Sequence, residues 1–199
     1  NQRLRLGLNL RNNNTTFNGA LIVNGTASAT PGGGSGLGVG GCTTGLKDAD
    51  ITVNGTLELN KSTNSFSWGN TASGSFQMGA LNGTGVVVGH CDVARDTTFT
   101  VGQNGHSGSF SGVITDGTNN RLRLVKAGSG TQILASAGTF TGGAAVNGGL
   151  LAVNCLSGSG AGTNTVQAAG GGTLGGTGIV AGIVAANAGG IVAPGYNGI

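Results

Sequence analysis

A short phrase recurs along this chain: a brief apolar stretch, an Asn-Gly or similar turn, then another brief apolar stretch. Thr52-Val53-Asn54-Gly55-Thr56-Leu57-Glu58-Leu59-Asn60, the run from Ala145 to Asn154 and the run from Ala186 to Gly195 are three versions of it. A longer match aligns Thr16 to Gly25 with Thr139 to Gly148 without a gap. The phrase Arg3-Leu4-Arg5-Leu6 returns as Arg121-Leu122-Arg123-Leu124. A second large cycle therefore begins near Asn119, within what reads as one domain over residues 1–199. Self-similarity of this kind marks architectures whose units cannot bury an apolar face alone and do so on their neighbours.

Glycine supplies 44 of the 199 residues, which has three ordinary explanations. Collagen needs glycine at every third position, and that period is absent. A flexible Gly/Ser linker lacks regular apolar runs, yet 37% of this chain is hydrophobic. The remaining explanation is a β architecture with many tight turns, where glycine supplies positive φ angles. Glycine interrupts every window that could form a helix, at about 1 kcal/mol each relative to alanine. No apolar run reaches the length of a transmembrane segment. The aromatics, 4% of the chain, are too few for the two girdles of a membrane barrel.

Strands of three to five residues between Gly or Asn turns are shorter than hairpin strands, which favour about 5–6 residues. The fold expected is all-β: a right-handed parallel β-helix (β-solenoid), each strand over its equivalent one rung below. Rungs of about 20–25 residues give roughly eight to ten of them. Further strands are expected at Gly85 to Gly89, Thr97 to Val101, Gly112 to Thr115, Thr131 to Ala135, Thr173-Leu174 and Ile179 to Val184. In Arg121-Leu122-Arg123-Leu124, alternation at period two turns the leucines inward and the arginines outward. That arginine face is read as solvated, or else as contacting an anionic surface or a neighbouring subunit. Asn24, Asn54, Asn60, Asn147, Asn154 and Asn187 fall at turns. There asparagine can adopt the left-handed region and stack its amide on the asparagine above, or it can simply be solvated.

The run Phe110-Ser111-Gly112-Val113-Ile114, then Lys126-Ala127-Gly128-Ser129-Gly130-Thr131, then Phe140-Thr141-Gly142-Gly143 resembles the autotransporter-associated β-strand repeat. The stretches Ile51 to Gly89, Gly175 to Val180 and Asn187 to Gly195 are similar to neighbouring segments of the same family, so the likeness covers most of residues 50–195 and, more loosely, 14–38. The cysteines and the arginines before Lys126 depart from its pattern. The resemblance implies a right-handed parallel β-helix in a bacterial surface or secreted protein, hence an extracellular location.

The three cysteines, Cys42, Cys91 and Cys155, lie too far apart for a CxxC or zinc spacing. They read as buried thiols, as one disulfide plus a leftover, or as the source of an intermolecular bridge. His90, Cys91 and Asp92 are adjacent, and neighbours in a strand point to opposite faces, so no metal site is expected. Asp92-Val93-Ala94-Arg95-Asp96 is the one cluster with two carboxylates and a base. There is no serine-nucleophile motif, no calcium-binding repeat and no phosphate loop after the Gly-rich stretch Pro31 to Gly41. Asn-Gly-Thr at Asn24, Asn54 and Asn82 matches a glycosylation acceptor but reads more simply as a turn. The Thr-Phe-Thr triplets at Thr98 and Thr139 are too few for an ice-binding array. A net charge of +3, from nine basic and six acidic residues, does not argue for nucleic acid.

The chain is therefore expected to be a structural module, not an enzyme, without cofactor or transmembrane segment. It starts at Asn1 without an initiator Met and stops inside a turn-strand unit, as a processed chain or a piece would. Uncapped ends invite further stacking. The strand from Arg3, Leu4, Arg5 and Leu6 to Leu10 is expected to meet the last rung at Ile191 and Val192, as a filament. The alternatives are an adhesin or passenger fragment that binds a host receptor or glycan through loops such as Pro31 to Gly41, and a polysaccharide lyase or hydrolase using Asp92 and Asp96.

Overall fold

A computed structural model describes residues 19–29, 46–59, 74–89 and 94–196. These residues contain eighteen strands and no helix. In chain order they are β1 (Leu21–Val23), β2 (Thr26–Ala29), β3 (Ile51–Val53), β4 (Thr56–Leu59), β5 (Gly74–Gln77), β6 (Leu81–Asn82), β7 (Val86–Gly89), β8 (Arg95–Val101), β9 (Gly108–Phe110), β10 (Val113–Thr115), β11 (Asn120–Lys126), β12 (Thr131–Leu134), β13 (Ala144–Val146), β14 (Leu150–Val153), β15 (Val166–Ala168), β16 (Thr173–Gly176), β17 (Val184–Ala186) and β18 (Ile191–Pro194).

The strands form four sheets, ordered β1-β3-β6, β2-β4-β7-β10, β5-β8-β11-β13-β15-β17 and β9-β12-β14-β16-β18. Every pairing within them is parallel. Consecutive strands enter different sheets, and the chain then returns beside a strand it laid down one pass earlier. Parallel pairing requires this, because no tight hairpin can join such neighbours. From β11 onward the chain alternates between the six-stranded and five-stranded sheets. The intervening segments follow one another through single backbone bonds, such as Thr139 N to Ile114 O (2.9 Å) and Gly138 N to Ser159 O (2.8 Å).

Side chains alternate along the whole of β11. In β11, Leu122 and Leu124 are buried while Arg121 and Arg123 are exposed. Register turns the inward positions into ladders. One runs Phe76, Phe99, Leu124, Ala144, Val166, Val184, and apart from Val184 these members are buried. A second runs Val101, Lys126, Val146, Ala168, Ala186. One contiguous apolar cluster extends from Val23 to Leu174. At about 25 cal/mol per Å² of apolar area, that shared interior is the main stabilising term.

Three expectations are corrected. The spacing runs beyond the expected 20–25 residues: parallel partners are 30 residues apart at the start (Leu21 opposite Ile51) and 18 at the end (Thr173 opposite Ile191). The extra residues fall between strands, where loop length costs little. Ile179 to Val184 is not one strand. A bend lies at Gly182 and β17 starts at Val184, because Gly178 and Gly182 each lie against the carbonyl of an earlier pass. The turn asparagines Asn24, Asn54, Asn147, Asn154 and Asn187 are not left-handed. Asn119 (φ 52°) is the one non-glycine residue with positive φ among those described, since glycines take these positions without a Cβ clash.

The recurring phrase does not occupy one structural place. Thr52 to Leu57 runs from β3, in the sheet with β6, into β4. Ala145 to Leu150 runs from β13, in the six-stranded sheet, into β14. The same strand-turn-strand unit serves two different corners, because a local turn specifies only its own bend.

Candidate functional site

The turns after the strands of the six-stranded sheet stack, with the turn at 46–50, into a corner that carries Lys47, Asp48, Asp50, His106 and Lys126. Its backbone is tied from pass to pass by Gly79 N to Ala49 O, Gly102 N to Gly79 O and Ala127 N to Val101 O, at 2.8–3.0 Å. Gly128 shows why glycine is required here: its φ is +63°, and a Cβ would lie 2.0 Å from Gly102 O.

Asp50 anchors the outside of this corner. Its Oδ1 accepts from Ala80 N at 3.0 Å and Asn104 Nδ2 at 2.7 Å. Asn104 Nδ2 also donates to Asp48 O at 3.3 Å and lies 3.0 Å from His106 Nδ1. His106 Nδ1 is 3.1 Å from Asp50 Oδ2, and His106 N donates to Asn104 Oδ1 at 3.0 Å. The Asn104 amide thus has three near neighbours for its two hydrogens, and His106 Nδ1 stands between that amide and the Asp50 carboxylate. Burial raises the Asp50 pKa, but the Asn104 amide, the Ala80 amide and His106 together outweigh it and hold the carboxyl below its ordinary value.

Lys126 lies inside the same corner. Its side chain is fully buried between Val101 and Val146 in an otherwise apolar ladder. The ammonium donates to the carbonyls of Ala127, Gly128 (3.0 Å) and Gly148 (3.3 Å), which matches its three hydrogens. Burial pushes its pKa down to about 8. One turn further, Gln132 is also buried and also faces inward, in line with Leu151 and Leu174. Its Oε1 accepts from Leu81 N at 3.0 Å, and its Nε2 donates to Leu81 O at 2.8 Å and Ile133 O at 3.2 Å. Gly108, its register partner, lets the amide through, since a Cβ there would lie 2.9 Å from Gln132 Oε1. Gln132 thereby stands in for a strand where β6 meets β9.

Other polar groups also bind successive passes. Asp116 accepts from Leu122 N (2.6 Å), Thr141 N (3.0 Å) and Thr141 Oγ1 (2.6 Å). Arg121 donates through Nε and Nη2 to Asp96 at 2.8 and 2.9 Å. This forked pair on the outer face raises the arginine pKa. Asp96, a residue of the lyase alternative, is thus held by the next strand, while Asp92 lies outside the described residues. Asn120 Nδ2 donates to Thr97 Oγ1 at 2.8 Å, and its buried Oδ1 has no partner.

Of the residues singled out from the sequence, Arg3, Leu4, Arg5, Leu6, Cys42, Cys91 and Asn60 lie outside the described residues. Cys155 is buried, with Sγ 3.4 Å from Ile179 O and 3.7 Å from Gly158 O. Asn54 Nδ2 donates to Asn24 Oδ1 at 3.0 Å, one stacked amide pair. Asn154 instead accepts from Thr177 N at 3.1 Å. Asn147 and Asn187 lie beside Ala169 in register, not beside each other. Ile191 and Val192 are exposed on β18, the last strand of its sheet. Lys126, Gln132, Asp50 and Asn104 were missed by sequence reasoning, although period-two alternation from Leu122 and Leu124 marks Lys126 as inward.

Among the described residues no group of three or more His, Cys, Asp or Glu side chains could hold a metal, and no helix is long and apolar enough to cross a membrane. Over the described residues these features define an all-β arrangement of parallel sheets in which several polar side chains tie one pass to the next. No protein-family model, curated protein or solved structure matches it.

Proposed function

We propose that the chain is a structural module of an extracellular or bacterial cell-surface protein. In this reading it is a right-handed parallel β-helix of roughly eight to ten rungs, of the kind seen in autotransporter-associated repeats, that stacks end to end with further copies of itself. The handedness follows from the general rule that crossovers between parallel strands are right-handed. The observation that carries the reading is the state of the last strands. Val184 and Val192 continue interior ladders, yet they are 41% and 39% exposed, and Ile191 beside them is 54% exposed. Among the described residues β17 and β18 are also the last strands of their sheets, and an edge strand presents backbone groups that can pair with a further strand. A heterologous contact there does not close and propagates.

Sedimentation and electron microscopy of the purified chain test the proposal. Concentration-dependent rods longer than one subunit, shortened by Ile191→Lys with Val192→Lys, are expected. A strictly monomeric wild-type chain, or assembly unaffected by the double substitution, overturns the self-stacking.

A further inference from the structure

We propose that Asn147-Gly148 is a site of spontaneous covalent change, where the asparagine amide is lost as ammonia through a succinimide ring. Asn-Gly pairs are suited to this reaction, because glycine has no side chain to shield its own backbone nitrogen. The fold selects among the pairs. Five Asn-Gly pairs lie within the described residues, at Asn24, Asn54, Asn82, Asn104 and Asn147. Four are tied. Asn54 Nδ2 donates to Asn24 Oδ1 at 3.0 Å, which engages both side chains, and Gly55 N donates to Val23 O at 2.8 Å. Asn82 Oδ1 accepts from Ser109 N at 3.0 Å. Asn104 Nδ2 donates to Asp50 Oδ1 at 2.7 Å, its Oδ1 accepts from His106 N at 3.0 Å, and Gly105 N donates to Gly102 O at 3.0 Å.

Asn147 differs on each count. Its side chain is exposed and makes no hydrogen bond with another described residue. Register gives the reason. Lys126 and Ala168 flank Val146, so the next positions, on either side of Asn147, are Ala127 and Ala169, whose methyl groups cannot pair with an amide. Gly148 N donates to no described carbonyl. Gly172 of the following pass approaches that nitrogen without a side chain, since a Cβ there would lie 3.0 Å from it. The frame around the pair is nevertheless held. Asn147 N donates to Lys126 O at 2.9 Å, and Gly148 O accepts from Lys126 Nζ at 3.3 Å.

In the first step Gly148 N gives up its proton and attacks Asn147 Cγ. The Cγ–Nδ2 bond breaks, and the departing nitrogen takes up a proton and leaves as ammonia. Water then opens the succinimide at either of its carbonyls. Attack at Cγ restores the main chain and leaves aspartate. Attack at the main-chain carbonyl leaves isoaspartate, whose main chain runs through the former side chain. The sum consumes one water, releases one ammonia and oxidises nothing. Either product adds a carboxylate at the corner, and isoaspartate adds a methylene beside the Gly148 carbonyl that Lys126 holds.

The test incubates the full folded chain at mildly alkaline pH, which promotes the attack, with a parallel sample unfolded in urea. Both are digested in acid, and fragmentation mass spectrometry separates asparagine, aspartate and isoaspartate in each peptide. In the folded chain conversion at Asn147 is expected to be roughly tenfold or more faster than at Asn54 and Asn104, which must first break side-chain and backbone hydrogen bonds. In urea the three sites are expected to converge. Asn147→Gln is expected to abolish the signal from that peptide, since glutamine would need a larger ring. Conversion at Asn147 no faster than at Asn54 or Asn104 in the folded chain, the same ranking in urea, or a signal that survives Asn147→Gln overturns the proposal.

Discussion

Lys126 occupies a position where β11 otherwise places leucine, and it is held there by three carbonyl oxygens. Its depressed pKa means that the unfolded chain keeps the proton longer than the folded one. Between about pH 8, the folded value, and 10.5, the ordinary value, the unfolded state binds more protons, so stability rises with pH. Against a Lys126→Met variant, wild type should gain stability across that window in urea titrations. At pH 7 the substitution leaves three carbonyls without their donor, at a cost of about 1–3 kcal/mol. Asp50 has a dependence of the same sign at the acid end. Its folded pKa is lowered, so its contribution is full above the ordinary 3.8 and is lost as pH falls through the lower folded value. Asp50→Asn should flatten the acid limb of the stability profile. The effect is below about 1 kcal/mol, because the side chain is 38% exposed and screened.

At the scale of elements, the seam between β6 and β9 shows how a side chain can replace a strand. Leu81 is buried, and its main-chain N–H and C=O both end on Gln132. Gln132→Leu fits the surrounding ladder by polarity but strands both groups, at about 2–5 kcal/mol by denaturant unfolding. An unchanged midpoint would show that the amide is dispensable. The strand-turn-strand phrases were legible because period-two alternation and glycine turns are local signals. β7, β8, β10, β12 and β16 fall where they are expected. Ile179 to Val184 was not legible as a bend, since close approach of Gly182 to Asn164 O depends on a residue one pass away. Nor was the use of one phrase at two corners, because its sequence carries the turn and not the sheet that receives it.

For the whole molecule, burial is graded along the stack. β14 is buried on both faces, whereas β17 and β18 are mostly exposed. Hydrogen exchange should therefore be slowest around Leu151 and Ala152 and fastest in β17 and β18 at low protein concentration. If copies stack, protection of the last two strands should rise with concentration while that of β14 stays constant. Uniform protection at all concentrations would contradict both the gradient and the stacking.

The amino-acid sequence alone determined the all-β class, the parallel stacking expected of short repeated strands, and the inward leucines of β11. Each follows from glycine content, strand length and alternation, which act within a few residues. Tertiary structure alone decided which corner each phrase occupies, the change of spacing from 30 to 18 residues, and the burial of Lys126 and Gln132. Those outcomes depend on which backbone carbonyls lie one or two passes away. Only the stacked chain brings such groups within hydrogen-bond reach.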